Sequence, residues 1–174
     1  MATLYESIYQ TLVEDMQVEG RAEKQAHDFA VEFAEGVAKE LVAPAGAFHL
    51  TPPDEEPSLS PKATARNVMK RSGHLVWRFG FVLHVQHPQN GIILGQWWGE
   101  FTICLKGDRF MLSWGKRDLP FDASADRQVV AKDFASELHA EALRTIKSGG
   151  KPGRMTIGFS ISPDATILDE TEAK

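Results

Sequence analysis

His84 and His87 stand in an H-x-x-H spacing, with His74 ten residues upstream. Imidazole pairs hold transition metals when their nitrogens converge. On a strand that convergence favours a spacing of two, because adjacent side chains point to opposite faces. Pro88 also places His87 at a turn tip, and no cysteine pair or ordered acidic set accompanies the histidines. We therefore expect no metal site. His27 and His139 fall in helical segments, where they read as surface residues, and His49 falls in a linker. His84 and Glu100 would make an acid/base pair if neighbouring strands set them side by side. Cys104, the single cysteine, lies in mid-strand and reads as a small buried hydrophobe rather than a nucleophile. It cannot form an intramolecular disulfide, which fits a reducing, cytoplasmic setting. "SGGKPGR", 148–154, lacks the phosphate-loop spacing and follows a helix instead of preceding one. Neither a GxSxG elbow nor an HExxH pair occurs. The expectation is a non-enzyme with no cofactor.

Binding chemistry has more to work with. Trp97 and Trp98 are adjacent in a strand-like stretch, so only one of them can enter a given core. The alternation assigns Trp97 to the core with Trp77 and Phe79. Trp98 then shares the second face with Gln96, Glu100, Thr102, Arg78 and His84, unless a bulge at Gly99 exchanges the two. A tryptophan beside cations could stack single-stranded bases. Further cations lie in a segment read as a short basic helix ending at Arg71, where Lys62, Arg66 and Lys70 fall four apart on one face.

The elements that position these residues follow from periodicity. Leu4, Ile8 and Leu12 recur at fours, and Ala22, Ala26, Phe29, Phe33, Val37 and Leu41 continue in threes and fours. Gly20 predicts a break between two helices. Residues 43–60 are rich in proline and polar groups and read as a linker. From His74 the period is two, through "HLVWRFGFVLHVQ", a turn at Asn90-Gly91, a second strand across the tryptophans, a turn at Lys106-Gly107-Asp108, and "RFMLSWG". A helix is expected over 126–148, stopped by Gly149-Gly150, and a fourth strand in "RMTIGFSIS".

The fold class is therefore α+β. A helical arm, 1–42, joins through the linker, 43–60, to an antiparallel β-β-β-α-β sheet domain, 61–165, with one face covered by a helix. A loose acidic tail, 166–174, follows. Two amphipathic helices need cover, and laid over the second face of the sheet they would bury Trp98. Left uncovered, that face would be a binding platform.

The charge of −5 conceals an asymmetry. Residues 1–57 carry twelve acids and three bases, 58–117 nine bases and two acids, and 118–174 ten acids and seven bases. Such a split points to electrostatic partners, within the molecule or outside it. The N-terminus has early acids and no basic, apolar leader, and no run is long enough to span a membrane. The function expected is binding of a protein partner, as an adaptor or an inhibitor acting by occlusion, of the motif-poor kind found among phage and mobile-element accessories. A homodimer is expected, with the arm or the Trp98 face as contact surface. The second reading is a single-stranded nucleic-acid-binding protein using Trp98, Arg78, Gln96, Glu100, Lys62, Arg66 and Lys70.

Overall fold

The computed structural model describes residues 3–54 and 68–155. One helix, α1 (Leu4–Glu40), opens the chain. Six strands follow: β1 (Phe48–Thr51), β2 (Met69–Gly73), β3 (Val76–Gln86), β4 (Ile93–Lys106), β5 (Arg109–Trp114) and β6 (Arg117–Pro120). Helix α2 (Ser124–Lys147) closes the described fold. The molecule is α+β with an antiparallel sheet, as its periodicity implies.

The expected helical pair is a single helix of 37 residues, about 55 Å long. Thr3 starts it with a reciprocal capping box: the Glu6 amide donates to the Thr3 hydroxyl, and the Thr3 amide to the Glu6 carboxylate. Gly20 does not break it. A glycine costs roughly 1 kcal/mol in a helix interior, too little to overcome helix-forming residues on both sides. Glu19, next to it, is pinned to Arg71 of β2.

The sheet runs β1-β3-β4-β5-β6. Strands β1 and β2 occupy the same edge of β3 end to end, β1 beside Gly80–Leu83 and β2 beside Val76–Phe79. Three of these elements lie where the periodicity was too short to read. β1 falls within the expected linker and β6 within an expected loop. β2 takes Met69, Lys70 and Arg71, which therefore are strand and not the end of a basic helix. Lys62 and Arg66 lie outside the described residues, as do the acidic tail and nearly all of the expected final strand. Of that strand, Arg154 makes a parallel bridge to Trp98.

The alternation in β3 and β4 holds. Trp77, Phe79 and Phe81 share a face with Trp97, Phe101 and Ile103, and all six are buried. Both helices pack on this face. Phe33 of α1 sits 4.9 Å from Phe101, 5.7 Å from Phe121 and 5.0 Å from Phe134 of α2. Phe134 in turn meets Phe81 and Trp114 edge-on. These contacts have the edge-to-face geometry that ring quadrupoles favour. Where the helices approach, Gly36 faces the Ala131 methyl so closely that a Cβ there would lie 3.0 Å from it. Among the described residues, helix cover is thus on the strongly apolar face alone. The arrangement in which α1 lies over Trp98 does not occur, because the alanine and phenylalanine stripe finds its cover on the aromatic face.

Truncating Phe33 to Ala should remove about 3–5 kcal/mol of stability. Gly20→Ala, at a helical position with open space around it, should add about 0.5–1 kcal/mol. Chemical denaturation of both variants checks the pair of signs.

Candidate functional site

The second sheet face carries most of the residues that the sequence singles out. Trp97 is buried at 3 % exposure and Trp98 is half-buried opposite Val82, so no bulge exchanges them. Residues 153–155 pair with β4 at Trp98. The Trp98 amide donates to the Gly153 carbonyl and the Met155 amide to the Trp98 carbonyl.

Arg78, Glu100 and Lys70 converge around Asp54. Leaving β1, the chain turns over Gly80, where a Cβ would lie only 2.6 Å from the Pro52 carbonyl oxygen. That turn delivers Asp54, with φ of 67°, onto the second face. Aspartate tolerates this left-handed conformation better than most residues. Its carboxylate accepts from both terminal nitrogens of Arg78, at 2.6 and 3.1 Å, and from the Lys70 ammonium at 3.0 Å. The Arg78 hydrogen bonds, then that of Lys70, hold its carboxyl down at about 2. Glu100 also pairs with Arg78 and accepts from the Asp54 amide and from Arg154, both at 2.9 Å. Three cations and two carboxylates thus form one network that fastens the 52–54 turn to the sheet. Asp54 and Arg154 were missed by sequence reasoning. The local signal was only an acid after a Pro-Pro pair, and its pairing spans 24 residues.

His74, His84 and His87 do not assemble. His74 neighbours Glu19, and His87 lies in the turn, where its Nδ1 accepts from the Gln89 amide. His84 is 4 % exposed, opposite Gln96, with its ring 5.2 Å from that of His49. Burial first, then His49, pushes its pKa below the ordinary histidine value. Glu100 lies opposite Gly80, four residues along β3 from His84, a distance of about 13 Å. The two therefore form no acid/base pair. Cys104 is buried and its thiol is pushed up by that burial. Among the described residues no group of three or more metal-ligating side chains forms.

A different surface stands out. Helix α1 rests on the core from Ala22 to Val37. Between Thr3 and Arg21, every residue except Val13 and Glu19 is exposed. At 100° per residue, Leu4, Tyr5, Ile8, Tyr9, Leu12 and Met16 line one face of this projection. They include Leu4 at 82 %, Tyr5 at 77 % and Met16 at 71 % exposure. The stripe is collinear with the buried stripe of Ala22, Ala26, Phe33 and Val37. The helix face that packs on the sheet therefore continues past the sheet's edge with nothing beneath it among the described residues. Glu6, Gln10, Glu14 and Gln17 lie on the opposite side. A run of spaced leucines and tyrosines was legible in the sequence, but its exposure depends on where the sheet stops.

Compared with known proteins, the chain matches no family model, no curated protein and no solved structure.

The state of His84 yields a pH dependence. Its folded pKa lies below its unfolded value of about 6.5, so the unfolded chain takes up the proton first. Stability from this site is complete above that value and declines as pH falls from it towards the lower folded pKa. Asp54 acts later, losing its contribution between about 4 and about 2. Thermal melts should show a drop from pH 7 to 5 that His84→Gln flattens, and a second drop below pH 4 that Asp54→Asn reduces.

Proposed function

We propose that this protein is a non-enzymatic binding module whose contact surface is the projecting half of α1, and that its partner is a protein. One observation carries the reading. Six large apolar side chains line one face of a helix that extends about 22 Å beyond its own core. An isolated helix of that length is marginal in water, and a helix with one apolar stripe is stable when the stripe is covered. A helix laying such a stripe against a partner is a common mode of recognition. Adaptor or inhibitor action follows if the helix occupies a groove that another ligand of the partner needs.

The nucleic-acid reading has weaker support. Arg78 and Lys70 share Asp54, Arg78 and Arg154 share Glu100, and Trp98 is half-buried. Phosphates would have to compete with these carboxylates. Other cations of the basic segment are likewise paired: Arg71 with Glu19, Lys106 with Asp118, Arg109 with Asp122 and Arg117 with Glu137.

The test is site-specific photocrosslinking in the expressing cell, with a benzophenone amino acid replacing Tyr9 on the stripe or Glu14 on the opposite side. A discrete protein adduct from position 9 and none from position 14 is expected. Equal or absent adducts at both positions would contradict the assignment. In parallel, labelled single-stranded DNA and RNA should not bind at low salt. Binding that weakens with salt and disappears in Trp98→Ala would favour the sheet face instead.

A further inference from the structure

Resting on that reading, we propose that the projecting helix is covered by the same helix of a second copy, running antiparallel, to form a two-fold clasp. The first ground is spacing. Tyr5, Tyr9, Leu12 and Met16 are separated by four, three and four residues, an order that reads the same from either end. A two-fold axis between Tyr9 and Leu12 sets Tyr5 against Met16 of the other copy and Tyr9 against Leu12. Each contact then joins an aromatic ring to an aliphatic or thioether chain, and a methionine sulfur packs favourably at a ring edge.

The second ground is extent. Taking roughly 200 Å² for one fully exposed side chain of this size, the six stripe residues present on the order of 800 Å² at their observed exposures, about 530 Å² of it from the four seam residues and the rest from Leu4 and Ile8 at the seam's edge. A specific interface buries about 800 Å² per partner. In this register Leu4 of one copy reaches the level of Gln17 of the other. It stops just short of Glu19, where α1 is pinned to Arg71, and of Ala22, where it enters the core. The overlap therefore uses the whole projection and ends before the folded body begins.

The third ground is electrostatic. Antiparallel helices oppose their macrodipoles favourably, whereas parallel ones would bring two positive ends together. Glu6 and Asp15 lie on opposite flanks of the seam formed by Tyr5, Tyr9, Leu12 and Met16, Asp15 between Leu4 and Ile8 at the edge of the six-residue face, so the two-fold axis brings neither to face an acid. Asp15 meets the level of Leu4 and Ile8, and Glu6 that of Val13 and Gln17. The arms carry net negative charge at longer range, since residues 4–18 hold Glu6, Glu14 and Asp15 and no base. Salt should therefore tighten the clasp by screening this repulsion, the reverse of its effect on phosphate binding.

Sedimentation equilibrium of the full chain should give the mass of two copies at micromolar concentration, with tighter association at physiological than at low salt. Tyr9→Glu with Leu12→Glu should weaken association at least a hundredfold, with any loss of helical circular dichroism no larger than the projection accounts for and with the melting temperature of the folded core near that of the wild-type monomer. Orientation is read by disulfide trapping: Tyr5→Cys and Met16→Cys chains should cross-link when mixed and not when each is oxidised alone. A single-copy mass at 100 µM would overturn the clasp, as would self-crosslinking of each variant with no gain on mixing. A single-copy mass accompanied by a photo-adduct from position 9 to a different protein leaves the binding reading standing. A single-copy mass with no adduct removes both.

Discussion

The Phe33 ring is the contact on which the architecture depends. It touches β4 through Phe101, α2 through Phe134 and the approach to α2 through Phe121. Through it the long helix, the sheet and the second helix share one core. The small residues around it make this closeness available: Ala30, Ala34 and Gly36 let α1 lie low against the sheet and α2. Such a core is decided by volume, and a ring with neighbours on three sides has little room to relax when altered. Because the cluster takes up only the C-terminal half of α1, it also determines what remains outside. A helix held firmly at one end and projecting at the other is a consequence of where the phenylalanines sit.

The opposite sheet face follows a different logic. It has no helix over it among the described residues, yet it is not bare. The turn after β1 folds across Gly80, and the carboxylates of Asp54 and Glu100 gather Arg78, Lys70 and Arg154. Partly exposed ion pairs contribute modestly one by one. Here they share partners, so their effect is mainly to fix the path of the 52–54 turn and to occupy the cations. Thus the described part of a segment whose composition is strongly basic has most of its cations paired.

Much of the architecture was legible in the sequence for physical reasons. β3 and β4 are eleven and fourteen residues long, and the alternation over Trp77–Phe81 and Trp97–Ile103 leaves one aromatic face, so the aromatic core and the placement of Trp97 follow from period. Helix α2 was equally plain, with its boundaries within two residues. What was not legible depends on contacts distant in the chain. Strands β1 and β6 are four residues each and carry too little pattern to distinguish from loop. Lys70 and Arg71 look helical by spacing, but the edge of β3 recruits them. Gly20 resembles a stop, yet the helices expected on its two sides are one. Arg78, Glu100 and Lys70 were each singled out from the sequence, but Asp54, which the fold brings to them, was not, because it reaches them from another element. The arm's stripe was visible, whereas its lack of cover was a property of the sheet's width.

On the reading proposed above, the apolar face of α1 before Glu19 is helical and is covered by association. The decisive measurement is amide hydrogen exchange resolved along α1, in the wild type at associating concentration and in the Tyr9→Glu, Leu12→Glu double variant. Slow exchange is expected over residues 22–37 in both proteins, and over 5–18 in the wild type alone. Equally fast exchange over 5–18 in both would contradict it, since the stripe would then be unprotected in the protein as it exists in solution.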